Sequence, residues 1–118
     1  MQAIVTYLTW ISFRYPIYEG APWLGVKPLK SKHLPDSKRG ERLYQTLCAD
    51  CHGTDGNGGN QSKNHPGESI PPIFGQHAYN TAAGMNELPI FASFIYYNMP
   101  LGDPHLTPGQ ALDIAAFV

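Results

Sequence analysis

At 118 residues the chain has room for one domain-sized core and not for two independent ones. A formal net charge of −1 and a pI near 6.5 give no electrostatic reason to expect nucleic acid or an anionic membrane as partner. With 12 glycines and 11 prolines beside only 14% charged residues, regular elements should be few and short, so something besides core packing must organise the chain.

Residues 1–13 are apolar, but the run is shorter than the ~20 residues of a membrane-spanning helix and lacks a basic start. No transmembrane segment is expected, and no small-residue cleavage site of an export signal follows it. Ile4, Tyr7, Leu8 and Ile11 at helical spacing predict one packed amphipathic helix that stops before Pro16. Pro16, Gly20, Pro22, Gly25, Pro28 and Pro35 then break both helix and strand patterns, so residues 14–35 read as an extended linker wrapping a surface.

Asp36 or Ser37 caps a second helix whose inward face is Gly40, Leu43, Tyr44 and Leu47, and whose end is delivered to Cys48. Residues 53–84 have almost no periodicity, yet Ile70, Ile73, Phe74 and Tyr79 require burial. So long a loop argues against a compact domain unless a ligand organises it. A third helix is signalled by Asn86 as cap and Pro89 in the first turn, with Leu88, Phe91, Ala92 and Ile95 on one face, ending near Tyr97. Thr107, Pro108 and Gln110 spell a capping box with proline at the first helical position, and Leu112, Ala115, Phe117 and Val118 supply apolar contacts. No C-cap glycine follows Val118, which reads as truncation at that end. The expected fold is all-α, a small helical domain over residues 36–118 preceded by a helix and a Pro/Gly-rich arm over residues 1–35.

Cys48-Ala49-Asp50-Cys51-His52 is a C-x-x-C-H run, the attachment signature of c-type haem. Its spacing lets both thiols add to the two haem vinyl groups while the histidine reaches the iron. A disulfide or redox-active C-x-x-C pair would leave His52 an accident and lacks a βαβ context. Structural zinc would need two more ligands at short paired spacing, whereas the other histidines are scattered singly. One covalent haem c is therefore expected, bound through Cys48 and Cys51, with His52 on the iron.

The sixth ligand decides whether the iron is closed for electron transfer or open to substrate. Met99 lies in a polar loop, Asn98-Met99-Pro100-Leu101-Gly102, rather than on an apolar helix face, where methionine usually serves as core filler. It is the expected ligand, with Met85 as the alternative. His65, His77 and His105 read as loop histidines, and His33 sits in the arm. Residues 71–75 (Pro-Pro-Ile-Phe-Gly) are expected to line the haem pocket and to offer a carbonyl to the ring nitrogen of His52. Tyr79, Phe91, Phe94 and Phe117 are candidates to pack on the porphyrin.

With these motifs placed, residues 40–118 resemble class I cytochrome c domains in their order of helix, C-x-x-C-H, long loop, helix, Met-Pro and helix. The strings Pro71-Pro72-Ile73-Phe74-Gly75, Tyr79-Asn80, Ala83-Gly84-Met85, Phe94-Ile95, Asn98-Met99-Pro100-Leu101-Gly102 and Asp113-Ile114-Ala115-Ala116-Phe117-Val118 resemble the second haem domain of the thiosulfate dehydrogenase family. Residues 1–12 resemble the closing helix of that family's first haem domain. The resemblance implies a preceding domain bearing the catalytic haem, with this piece passing electrons onward. It also implies His52 as proximal and Met99 as distal ligand. Some members carry lysine just before the methionine where this chain has Asn98.

Three functions follow as expectations. The first is single-electron transfer through a His/Met-ligated haem, toward a redox partner protein or a neighbouring haem domain. The second is a contribution to an oxidoreductase site for a sulfur anion, drawn by Arg14, Lys27, Lys30 and Lys32. The third is a haem-based sensor with a displaceable sixth ligand. Because c-type attachment is made on the far side of the bacterial membrane, a periplasmic location is expected.

Overall fold

The computed structural model describes residues 2–13, 26–59, 67, 69–78 and 82–118. Among these every regular element is helical, as expected. They are α1 (Gln2–Ser12), α2 (Ser37–Leu47), α3 (Ala49–His52), a 3-10 turn (Gly84–Asn86), α4 (Leu88–Asn98) and α5 (Pro108–Phe117). Among the described residues no helix is long and apolar enough to cross a membrane.

Helix α2 begins where expected. The Asp36 carboxylate accepts from the Arg39 N–H at 3.0 Å, supplying one of the acceptors that a helix start lacks. Helix α5 carries the full reciprocal cap. Thr107 Oγ1 accepts from the Gln110 N–H, and Gln110 Oε1 accepts from the Thr107 N–H. Helix α4 corrects the sequence reading at its start. The N-cap is Glu87 with no side-chain cap, because Asn86 is used to close the preceding 3-10 turn. Proline in the first turn of α4 supplies the helical φ that the missing cap does not.

The core lies where α4 and α5 meet α2, and it comprises Phe91, Ala92, Ile95, Leu106, Ala111, Ile114 and Ala115. On α5 the inward face is Ala111, Ile114 and Ala115, whereas Leu112 is only half-buried. Small residues on that stripe let the helices approach closely. At Gly40 the approach is tightest, since an added Cβ would overlap the Asp113 carbonyl and lie 2.9 Å from Phe117 Cβ.

The arm is fastened to this core by polar contacts. The Leu29 N–H donates to Ser93 Oγ at 3.0 Å, and Ser93 is buried on α4. Further along, Asp113 is 3% exposed and gathers three partners from outside α5. His33 Nε2 lies 2.8 Å from Oδ1, the Asp36 N–H donates to Oδ1 at 2.8 Å, and Arg39 Nε donates to Oδ2 at 2.9 Å. Burial pushes the Asp113 carboxyl up, but the Arg39, His33 and Asp36 hydrogen bonds outweigh it and hold the pKa at about 2.

A carboxylate below its ordinary 3.8 stabilises the fold above that pH and loses the contribution as pH falls through about 2. The shift corresponds to about 2 kcal/mol. Thermal melts of Asp113→Asn should therefore show lower stability at neutral pH and a smaller loss than wild type between about pH 4 and 2. An unchanged acid limb would mean that Asp113 does not govern it.

Helix α1 forms over the expected span but does not pack as expected. None of its residues is buried, and Trp10 and Phe13 are 74% and 80% exposed. Ile4, Tyr7, Leu8 and Ile11 do form a stripe opposite Gln2, Thr6 and Thr9, but no other described helix packs against it. The expected linker residues 14–25 lie outside the described residues.

Candidate functional site

The C-x-x-C-H run folds as a single turn. Cys48 ends α2, its N–H donating to the Tyr44 carbonyl at 2.9 Å, and it also starts α3. The N–H groups of Cys51 and His52 both donate to the Cys48 carbonyl, at 3.1 and 2.9 Å. Residues three and four apart on a helical turn share a face, so both sulfurs and the imidazole are presented together. The sequence reading had α2 delivering its end to Cys48 and did not foresee this second short helix. The two cysteines are not joined in a disulfide, and both are half-buried.

Tyr44 supports the turn from behind. It is fully buried, its hydroxyl donates to the Gly53 carbonyl at 2.6 Å, and its ring packs 5.4 Å from both Phe74 and Phe117. Burial first, then the nearby Cys48 and Asp55, push its pKa up to about 12, so it remains a neutral donor.

The loop after His52 doubles back through a short ladder. The Gly58 N–H donates to the His52 carbonyl, the Gly59 N–H to Ile70, and the Ile73 N–H to Gly56. Two glycines make this possible. At Gly56 and Gly58 the φ angles are +68° and +65°, and an added Cβ would strike the Phe74 ring or the Ile70 and Pro71 backbone. The ladder leaves the Pro71 carbonyl 3.3 Å from His52 Nδ1. A carbonyl only accepts, so Nδ1 carries the proton and Nε2 is left with its lone pair available to a metal. Burial pushes the His52 pKa down, with the Pro71 bond acting the other way, which favours the neutral imidazole that a metal takes.

Cys48, Cys51, His52 and Met99 all line one cavity of about 630 Å³. Its walls are mostly apolar and come from four parts of the chain, with Phe91, Phe94 and Ile95 from α4 and Ile114 from α5. Met99 caps the end of α4, its N–H donating to the Ile95 carbonyl at 2.9 Å, and Pro100 and Leu101 continue the wall. The volume falls within the roughly 300–1,000 Å³ usual for cofactor sites. Two thiols on one turn, a neutral imidazole and a thioether on the same apolar cavity fit a covalently held haem.

The other candidates fall elsewhere. Met85 packs against the core and does not line the cavity. His33 is taken by Asp113, and His77 and His105 are exposed. Among the described residues no group of three or more His, Cys, Asp or Glu side chains is arranged to hold a metal ion by itself, as a closed zinc site requires. Lys27, Lys30 and Lys32 are exposed and do not line the cavity. Phe91 and Phe94 line it as expected, whereas Phe117 turns away and packs on Tyr44 and Phe74. Arg14, His65 and Tyr79 lie outside the described residues. The sequence reading missed Leu106, Ile114 and Val118 as cavity walls. Only the i, i+4 spacing of Ile114 and Val118 carried a signal for them.

Residues 35–118 match the family described as cytochrome C oxidase, cbb3-type, subunit III. The chain is similar to a thiosulfate dehydrogenase of Allochromatium vinosum, 38% identical over 117 residues, covering 98% of this chain and 42% of that protein. It is also similar to one of Thiomonas intermedia, 36% identical over 119 residues and covering 37% of that protein. Among solved structures, thiosulfate dehydrogenase TsdBA of Marichromatium purpuratum in its as-isolated form gives a TM-score of 0.74 at 34% identity. The match covers 98% of this chain and 25% of that one. The chain thus spans less than half the length of these relatives.

Proposed function

Because the chain belongs to the family of c-type cytochrome domains described as cytochrome C oxidase, cbb3-type, subunit III, and so carries covalent haem c, we propose that it is the electron-exit domain of a two-haem thiosulfate dehydrogenase-like protein. In this reading Cys48 and Cys51 would form the thioethers, and His52 and Met99 would ligate the iron. One observation carries it. These four side chains line a single cavity that Met85 and the other described histidines do not reach.

When bound, the haem supplies reversible one-electron chemistry at its iron. The chain's own residues set the conditions. Pro71 fixes the His52 tautomer, and the Phe91, Phe94, Ile95 and Ile114 walls keep water from the centre. Met99 would supply a thioether ligand to the iron, which favours a relatively high potential. The similarity to thiosulfate dehydrogenases over nearly the whole chain supports placement beside a second haem domain, which would receive electrons from a sulfur anion. The fully exposed apolar α1 is consistent with a segment that belongs to that neighbour, and residues 36–118 then form this domain. A periplasmic location follows from the chemistry of c-type attachment.

The test is the oxidised absorption spectrum of haem-loaded wild type beside Met99→Ala. Wild type should show the weak far-red iron–sulfur charge-transfer band, and the variant should lose it and show a reduction potential lower by on the order of 100 mV. Absence of the band in wild type would remove Met99 and the closed-iron mechanism together.

A further inference from the structure

Charge is unevenly distributed along this chain. Seven of its eight Lys and Arg residues precede residue 43, while six of its nine Asp and Glu residues follow it. The structure turns that asymmetry in sequence into an asymmetry at the site. Asp50 and Asp103 line the cavity, and no Lys or Arg does so among the described residues. Both carboxylates are exposed, the Asp103 side chain by 87%, and Leu101 beside it is 56% exposed. Two of the described cations have partners of their own. Arg39 is bound to Asp113 and Asp36, and the Lys27 ammonium sits 6.0 Å from the Tyr97 ring on α4.

We propose that the mouth of this cavity is an acidic docking face with an apolar centre, and that its partner is a redox protein presenting a basic patch around its own electron-entry site. The inference rests on the electron-transfer reading and adds the chemistry of the partner. An apolar centre inside a charged rim is the usual anatomy of a transient interface. Opposite charge on the incoming protein raises the encounter rate by 10-fold or more at low salt. In each encounter the reduced domain would give up one electron and the partner would gain it.

The experiment uses the reduced holoprotein and two one-electron oxidants of opposite charge, cationic tris(phenanthroline)cobalt(III) and anionic ferricyanide. Stopped-flow rates are measured from low to high ionic strength at one fixed pH. The cationic rate should fall about tenfold across the series while the anionic rate rises. Asp50→Asn/Asp103→Asn should reduce the cationic-to-anionic rate ratio at low salt severalfold. A change in potential shared by both reactions largely cancels in that ratio. The same variant should weaken binding of polylysine followed by titration calorimetry.

Equal salt slopes for the two oxidants, or a ratio governed by Lys27→Gln instead of the two carboxylates, would overturn the proposal. Failure of both oxidants to take an electron at all would instead overturn the electron-transfer reading beneath it.

Discussion

The Cys48→Ser/Cys51→Ser double variant should lose both its covalent haem and most of its helix. The two effects have one physical cause. Of the eight buried hydrophobic residues among those described, Tyr44, Phe91, Ile95, Leu106 and Ile114 also border the cavity. Most of this core therefore has protein on one side only and needs the macrocycle on the other. At about 24 cal/mol per Å³ of hole, a cavity of about 630 Å³ kept open without haem would cost roughly 15 kcal/mol. An open mouth reduces that figure, but a third of it already rivals the roughly 5–15 kcal/mol that hold a domain folded. The chain would collapse or unfold instead of maintaining the site. Haem staining after denaturing electrophoresis reads the covalent bond, and far-ultraviolet circular dichroism reads the helix. Full helicity in a haem-free variant would show that the helices pack without the cofactor and would refute this account.

The same dependence explains which features were legible in the sequence. Local chemistry was readable because its partners lie within a few residues. The Asp36 cap, the Thr107/Gln110 box and the C-x-x-C-H spacing each declare themselves in a window of five. The Pro71 carbonyl beside His52 was anticipated from its surrounding string, even though 19 residues separate them. What remained hidden was long-range or a matter of competition. His33 and Asp113 are 80 residues apart, and no periodicity joins an arm histidine to a helix aspartate. Asn86 was a sound cap by type, but the 3-10 turn took it first. Phe117 carried the pattern of a haem-packing aromatic and was claimed instead by Tyr44 and Phe74. Helix α1 shows the limit of amphipathic spacing, since its stripe forms but no other described helix covers it.

Gly40→Val should destabilise the domain by about 3 kcal/mol or more, because the new side chain has no space to occupy. Its Cβ would overlap the Asp113 carbonyl oxygen, approach Asp113 C to 2.5 Å and Phe117 Cβ to 2.9 Å. Two of the three obstacles are backbone atoms of α5, which no rotamer change can move. The gain in helix propensity on replacing glycine with a β-branched residue is only a few tenths of a kcal/mol and does not offset the overlap. The helices would have to separate, and the damage would reach the site because each carries part of it. Helix α2 delivers Tyr44 and Cys48, and α5 contributes Ile114 to the opposite part of the cavity.

A loss of this size corresponds to a fall in melting temperature of about 15 °C for a domain this small. The matched control is Gly84→Ala, where an added Cβ meets nothing within 4 Å and the change should stay within about 0.5 kcal/mol. Calorimetry of both variants with haem attached separates the two outcomes. If Gly40→Val melts with wild type, α2 and α5 do not meet as closely as the geometry at Gly40 requires.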